Sequence, residues 1–519
     1  MTPPCLLHED DDLLVVNKPP GWSTHAPSPF HPDGIYDWLR WRRNAKSLSI
    51  LHRLDKETSG VLVFGKSTLA NRELSRQFEG HLVRKSYQLL TDREPAEKSW
   101  QRRSFLLRAG EKYVEGKEGS GSLEAITDFE VVEKTSRGWL VTARPLTGRT
   151  HQIRVHAAAS GIPVLGDDVY GGAKFSRTCL HSAQLSFTHP ATGTECSWSA
   201  APDFESPRWW QLRRAMFSPE TTDAYRLIQG SADGFPGFFV DRWGGWLLIQ
   251  SATDPSDSLL KELRAVFPDA GIYHKRLRVD VGLTAKEAVA PQKLDGPDAP
   301  ADWLVKENGT AYRIQFDQGY SVGLFLDQLD NRQRLLRGFA PRQGGAGRML
   351  NLFAYTCGFS VSAALAGWQT LSLDLSKNYL EWGKRNFEAN GLSLEGHDFV
   401  FGDTFDWLKR FRKKGRLFDL IVLDPPTFSR SKESGVFRAE KDYQRLVEAV
   451  GLVLAPGGTL LASTNAAEYL PERFLDDVKA GLLDAGHQSA ASEFRPQPPD
   501  FPVTREEPGY LKTVWVTVN

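Results

Sequence analysis

His52-Arg53-Leu54-Asp55-Lys56-Glu57-Thr58-Ser59-Gly60 runs directly into the apolar Val61-Leu62-Val63-Phe64. A short polar loop carrying Arg53, Asp55 and a glycine thus feeds a strand-like segment. Enzymes tend to display catalytic side chains on loops of this kind, held by a rigid sheet. Upstream, Leu13-Leu14-Val15-Val16 before Asn17-Lys18-Pro19-Pro20-Gly21-Trp22 reads as a strand entering a Pro-Gly turn. Downstream, Asn71 to Phe78 has helical spacing, and Val83 to Leu90 alternates as a strand.

At 519 residues the chain exceeds one hydrophobic core, and two to four domains are expected. Its 64 basic and 64 acidic residues cancel, so any RNA contact must come from local patches. Four scattered cysteines (Cys5, Cys179, Cys196, Cys357) form neither a disulfide framework nor a zinc site, and the histidines show no metal-ligand spacing. The opening MTPPCLLHEDDDLL lacks basic and apolar leader regions, and no later apolar run is long enough for a bilayer. A cytoplasmic protein is expected.

Further blocks accompany the first stretch: Leu146-Thr147-Gly148-Arg149-Thr150-His151-Gln152-Ile153-Arg154-Val155-His156, Gly161 to Asp167, and Leu180-His181-Ser182 through His189-Pro190. Together with the Lys-Pro-Pro-Gly-Trp opening and the Lys85-Ser86-Tyr87 strand, they resemble the RluA family of pseudouridine synthases. That resemblance implies an α+β fold with a mixed sheet, no cofactor, no metal, and Asp55 as the catalytic aspartate. Isomerising uridine breaks the base–sugar bond, turns the base and rejoins it through carbon. A carboxylate can act as nucleophile or as the base removing a sugar proton; the sequence leaves both open. A neighbouring guanidinium keeps it ionised. Arg149 is the first candidate for that partner and Arg154 the second. The uridine must leave its stack; Tyr87 would then hold the ring, while Arg53 fills the gap or grips a phosphate. Taken alone, Tyr87 reads as strand packing and each histidine as structural.

Pro202, Pro207 and Pro219 mark a seam near 200–220, with a short helix and linker around Trp209-Trp210. Beyond it, Tyr225 to Gly230 and Phe238 to Arg242 flank a Gly-Pro turn, Trp246 to Gln250 continues the sheet, and Ser258 to Phe267 is an amphipathic helix. This module and Gly319-Tyr320-Ser321-Val322-Gly323-Leu324-Phe325-Leu326-Asp327-Gln328-Leu329-Asp330-Asn331-Arg332 resemble the RlmI class of ribosomal RNA methyltransferases. The PUA domain that opens that class has no counterpart here; the synthase domain takes its place. The module reads equally as a spacer or as a substrate-binding element.

From about 345 strands and helices alternate, the pattern of a parallel sheet with crossovers. Arg348 to Phe353 breaks at Ala354-Tyr355-Thr356-Cys357-Gly358; later strands end in Asp374, Asp403 and Asp424-Pro425-Pro426-Thr427-Phe428-Ser429. Acids at strand carboxyl ends face the crevice where open α/β sheets bind ligands. The three acids with DPPTF resemble class I S-adenosylmethionine (SAM) methyltransferases, an α/β Rossmann-like fold. The resemblance implies SAM as cofactor, Asp374 on its ribose, Asp403 by the adenine amino group, and Tyr355, Thr356 and Gly358 facing the methionine part; Asn351, Phe353 and Asp424 complete the set.

Two relatives compete for the chemistry. The central module and the tail Pro499-Asp500-Phe501-Pro502 through Tyr510-Leu511-Lys512 look like RlmI, a cytosine carbon-5 methyltransferase. Leu373 to Trp382 and Asp424 to Lys432 look like RlmK, a guanine N7 methyltransferase. Carbon 5 of a pyrimidine requires a thiolate adding at carbon 6, and in the carbon-5 relative that Cys follows the strand after DPP. The matching Leu460-Leu461-Ala462-Ser463-Thr464-Asn465-Ala466 has none. Guanine N7 needs only alignment and a clamp, for which Pro425, Pro426 and Phe428 are candidates; an exocyclic amine, with Asp424 and the Pro425 carbonyl accepting protons, is next. The expectation is a bifunctional enzyme: a synthase over 1–215, a central α+β module over 216–335 and a methyltransferase over 336–519. Its expected partner is large-subunit ribosomal RNA, with transfer RNA open for the first half. Cytosine carbon-5 transfer and a non-catalytic ribosome-assembly factor are the alternatives.

Overall fold

In the computed structural model the chain forms two compact units, Met1–Ala26 with Asp33–Ser218, and Pro27–Pro32 with Pro219–Asn519. The structure describes every residue except 1, 44, 46, 120, 278–289, 318–320, 339–345 and 432–434, and the side chains of 430 and 431. Gly319 and Tyr320 of the segment leading to Arg332, and Lys432 after DPPTF, therefore lie outside the described residues.

In the first unit an eleven-stranded sheet includes Ser59–Gly65, every residue of which is buried. Leu13–Lys18 pairs antiparallel on one side and Leu180–Thr188 parallel on the other. Gly60, at φ +114°, lies so close to Leu180–Thr188 that a Cβ would sit 2.2 Å from the Ser182 carbonyl oxygen. Only glycine permits that approach, which anchors the end of the Asp55 loop. Alternating Leu13, Val15, Val61 and Val63 bury one sheet face against helix Thr68–Glu79. That helix starts earlier than its apolar spacing suggests, because the Ser67 hydroxyl accepts from the Ala70 amide at 3.0 Å. The short helix expected around Trp209-Trp210 is Arg208–Met216, which belongs to this unit with Trp209 buried.

The second unit holds two larger sheets. The central five strands run Ala224–Gln229, Phe239–Trp243, Trp246–Ser251, Gly271–Arg276 and Gln292–Asp295 in spatial order. Helix Asp257–Val266 makes the crossover between the parallel third and fourth. The seven-stranded sheet, numbered along the chain, has the order 3-2-1-4-5-7-6. Strands Arg348–Leu352, Gln369–Asp374, Asp398–Phe401, Phe418–Leu423 and Leu454–Thr464 are parallel; Lys512–Val518 pairs antiparallel with the last of these and with Ser489–Pro496. Continuous apolar runs such as Leu420-Ile421-Val422-Leu423 suit strands covered on both faces. The order reverses between Arg348–Leu352 and Phe418–Leu423, opening the crevice at their carboxyl ends. Among the described residues no helix is long and apolar enough to cross a membrane.

Candidate active sites

The Asp55 loop is pinned from beneath by the Lys-Pro-Pro-Gly turn. Lys18, with no exposed surface, donates to the carbonyls of Trp22 at 2.7 Å and of Pro19 and Lys56 at 3.1 Å. Burial pulls its ammonium down to about 7. The Gly21 amide donates to the same Lys56 carbonyl at 2.9 Å, and Thr24 Oγ1 donates to the Leu54 carbonyl at 2.9 Å. The turn thus fixes the backbone on both sides of Asp55.

The Asp55 carboxylate meets Arg154 Nη1 at 3.4 Å and His151 Nε2 at 3.8 Å. Arg154 is itself gripped by buried Asp167, Nε to Oδ2 at 2.6 Å and Nη2 to Oδ1 at 2.8 Å, and its guanidinium lies 5.0 Å from the Tyr170 ring centroid. This fork-to-fork pairing fixes the plane from which the third nitrogen reaches Asp55. Arg149 does not fill the partner position: its Nε donates to the Glu124 carbonyl at 3.0 Å, so the second candidate replaces the first. His151, read as structural from the sequence, lines the site, with Nδ1 2.8 Å from the Tyr170 hydroxyl; burial pushes it below the usual imidazole value. No local signal separates it from His156 and His181, which are buried and bonded to Ser104 and Thr127, and to Ser59 and the Ala200 carbonyl. Tyr87 sits near enough to feel the Asp55 charge, and burial pushes its phenol up to about 12. Arg53 is exposed at the rim.

In the second unit the loop after Arg348–Leu352 winds tightly, with Phe353, Tyr355 and Cys357 all at φ between 48° and 62°. Three non-glycine residues in the left-handed region mark a loop that its surroundings over-determine. Asp374 is the anchor: its Oδ2 accepts from the Tyr355 amide at 2.9 Å and its Oδ1 from the Ser376 amide at 2.8 Å. Burial raises its carboxyl above the usual range. The Tyr355 ring packs between Phe325 at 5.2 Å and Tyr379 at 4.5 Å. Gly358 opens the helix Gly358–Leu365 that follows, whose N-terminus faces the loop. Asp403 caps the helix Thr404–Lys413, Oδ1 accepting from the Asp406 amide at 3.1 Å.

Two residues of the expected cofactor set turn their side chains away from the crevice. Asn351 is buried and donates to Ser360 Oγ at 3.0 Å; Thr356 is buried and donates to the Gly323 carbonyl at 2.6 Å. They shape the loop from below. Asp424, at the end of Phe418–Leu423, accepts from Gln328 Nε2 at 3.1 Å, and burial raises it to about 7. Gln328 also donates to Ser463 Oγ at 2.8 Å and is oriented by Asn331 Nδ2 at 2.7 Å. The motif containing Gln328 was legible; its reach of 96 residues to Asp424 was not. Pro425 is buried, whereas Pro426, Thr427 and Phe428 are exposed. Thr427 Oγ1 donates to Asn465 Oδ1 at 2.7 Å. Cys357 is wholly buried: Gly383 packs so near that a Cβ there would lie 2.3 Å from Sγ, and burial pushes the thiol up to about 12.

The residues that face the crevice suit SAM. The Asp374 carboxylate stands where a diol can meet a charged acceptor, and aromatic Tyr355 lies beside it. Sheet order, loop and acids define a SAM-dependent methyltransferase, joined to a pseudouridine synthase fold in the first unit. The family model of the RNA pseudouridylate synthase matches residues 12–159, and that of the S-adenosylmethionine-dependent methyltransferase matches 284–513. Ribosomal RNA large subunit methyltransferase I of Cronobacter sakazakii is 35% identical over 315 residues, 58% of this chain and 76% of its own. The Klebsiella pneumoniae protein of the same name is 35% identical over 301 residues, covering 56% and 72%. A methyltransferase solved in complex with SAH aligns at 32% identity with a TM-score of 0.51, over 58% of this chain and 76% of that one. The chain belongs to the ribosomal RNA large subunit methyltransferase I family, and carries a pseudouridine synthase domain ahead of its methyltransferase domain.

Proposed function

We propose that the chain carries two RNA modifications: uridine to pseudouridine in the first unit, and transfer of a methyl group to guanine N7 of large-subunit ribosomal RNA in the second. The proposed domains are a synthase over 1–215, a central module over 216–335 and a methyltransferase over 336–519. The ribosomal target is favoured by the relatives, which are ribosomal RNA large subunit methyltransferases; transfer RNA remains the second substrate class for the synthase.

In the synthase Asp55 is the reacting carboxylate, with Arg154 as its charge partner, positioned by Asp167. A pair at 3.4 Å aims the carboxylate. Tyr87 supports the flipped base, and exposed Arg53 lies at the rim for a phosphate or the vacated stack.

For the methyltransferase the observation that carries the choice of atom is the composition of the crevice beside Asp424. The bridged pair Thr427–Asn465 lies in the DPPTF and Leu460–Ala466 stretches, and the unit's cysteine, Cys357, is buried and protonated. A thiolate for carbon-6 addition is thereby disfavoured. S-adenosylmethionine supplies an electrophilic methyl group when bound. Asp374 would hold its ribose, Asp403 would lie by its adenine, and Tyr355 with Gly358 would frame its methionine part. Guanine N7 offers a lone pair and no proton to remove, so alignment against exposed Pro426 and Phe428, with Pro425 beneath them, suffices. An exocyclic amine is the second reading, favoured by Asp424: a carboxyl near 7 can take up a proton. Nucleoside mass analysis of RNA treated with the purified enzyme tests the choice: 7-methylguanine supports N7, N-methylated adenine or guanine the amine, and 5-methylcytosine refutes both.

A further inference from the structure

With 64 basic and 64 acidic residues the chain has no overall field for RNA, so a concentrated basic run within it stands out. The densest is Lys409-Arg410-Phe411-Arg412-Lys413-Lys414-Gly415-Arg416, six cations in eight residues, and neither chemistry uses it. It closes the helix Thr404–Lys413 of the second unit. Cations suit the last turn of a helix, where they face its partial negative charge. That accounts for the end of the run and not for the groove beside it.

Two of the six cations are paired: Arg410 with Asp406 at 2.7 Å and Arg416 with Asp398 at 3.0 Å. Lys409, Arg412, Lys413 and Lys414 are exposed and have no ion pair among the described residues. Positions 409, 412 and 413 are three and four apart, so they share one helix face, where like charges repel. Such a cluster costs stability until an anion neutralises it.

Lys409 and Arg412 also line a groove of about 350 Å³ between this helix and Ala439–Gly451. Phe405, Leu408 and Leu452 give it an apolar lining, and Arg445 stands on the far side. The Arg445 guanidinium lies 4.8 Å from the Phe405 ring centroid and 3.7 Å from Asp442. Glu448 is the one acid in the lining, against three cations. An apolar floor under a net positive rim matches the two halves of a nucleotide. An unpaired base can stack on Phe405 or on the Arg445 guanidinium, and the flanking phosphates meet the cations.

We infer that this groove and the cations beside it are a docking surface for a single-stranded segment of the RNA substrate, set apart from the reacting crevice. The helix begins after Asp403, beyond the carboxyl end of strand Asp398–Phe401, and runs ten residues from there. Its rise carries Lys409 to Lys413 roughly 9–15 Å away from the crevice edge. At that distance the surface touches RNA flanking the target and not the methylated base. It supplies affinity and register through phosphates and one stacked base, without choosing the atom that is methylated. The inference rests on the reading of the second unit as an RNA methyltransferase and is independent of which base atom is modified.

The triple variant Lys409→Gln/Arg412→Gln/Lys413→Gln, in the full-length chain, tests it. A second triple, Lys261→Gln/Lys306→Gln/Lys479→Gln, removes the same charge from exposed positions elsewhere in the second unit. The probe is large-subunit ribosomal RNA from cells lacking the gene, with labelled SAM, between about 50 and 200 mM salt. The first triple should raise KM for RNA about tenfold or more at the lower salt. It should also flatten the slope of log KM against log salt by about two, since each single-strand phosphate contact contributes roughly 0.7. The second triple should move KM by less than about threefold. SAM affinity by calorimetry and kcat at saturating RNA should stay unchanged in both, which also reports that the unit is folded. Equal KM shifts in the two triples would reduce the run to a general field and overturn the surface. An unmoved RNA KM in the first triple would leave the groove to an acidic protein partner and overturn it too, as would a loss confined to kcat or SAM affinity. Wild type reads the underlying function separately: no methylated product sinks the RNA reading, whereas product with an unmoved KM in the first triple sinks the surface alone.

Discussion

Asp55 and Asp424 each stand at the working end of a sheet, yet the chain treats them in opposite ways. Asp55 is partly exposed and faces a guanidinium and an imidazole, so its negative charge has ready partners. Asp424 is half-buried, meets an amide and a hydroxyl network, and is raised by desolvation to about 7. The first site is built around a charge that must persist on the protein. The second raises the carboxyl nearest its acceptor crevice toward neutrality, which suits a reaction whose electrophile is a bound cation and whose nucleophile is a neutral base. A carboxylate's neighbours, more than its place in a motif, set its task.

The largest effect that would break this contrast is at Asp55. Asp55→Asn should lower pseudouridine formation by about 10³-fold or more while methyl transfer persists. Isomerisation assays and methyl incorporation on the same purified protein check both halves; surviving isomerisation would refute the role. Next, Asp374→Ala should weaken SAM binding on the order of 100-fold, since a charged acceptor for two hydroxyls is lost. Calorimetry on the full chain reads this, and unchanged affinity would remove Asp374 from the cofactor site. Then Arg154→Gln should cut isomerisation by roughly 10- to 100-fold, and Arg149→Gln by far less, because only Arg154 reaches Asp55. Equal losses would restore Arg149 as the partner.

Much of this was legible because it is local. The Asp55 loop, the acids closing successive strands and the change from mixed to alternating elements all lie within short windows. What was not legible depends on long-range placement. Arg149 and Arg154 share one motif, and only the helix Gln152–Ala159, starting from His151 in a left-handed conformation, decides which one faces Asp55 99 residues away. Likewise, nothing marks Phe353, Tyr355 and Cys357 as left-handed, since none is glycine. That winding turns Asn351 and Thr356 inward and leaves Tyr355 in the crevice. The groove beside Lys409 and Arg412 joins two helices from separate windows, neither of which reads as a site alone.

The smallest effect sharpens the contrast through pH. Asp424 titrates near 7 when folded against 3.8 as its ordinary value, so the native state binds the extra proton between those limits. Its contribution to stability is fully present below pH 4 and is lost as pH rises through 7. Asp424→Asn should therefore raise the melting temperature of the second unit by a few degrees at pH 8 and leave it nearly unchanged at pH 4. A variant equally shifted at both values would mean that Asp424 is not held neutral by burial.

The most direct measurement of two separate chemistries in one chain is nucleoside mass mapping of large-subunit ribosomal RNA. The RNA would come from cells lacking the gene, treated with wild-type, Asp55→Asn or Asp374→Ala protein. Wild type should add one pseudouridine and one 7-methylguanine, with each variant removing only its own product. A 5-methylcytosine in place of the methylated purine, or loss of both marks in either variant, would contradict the account.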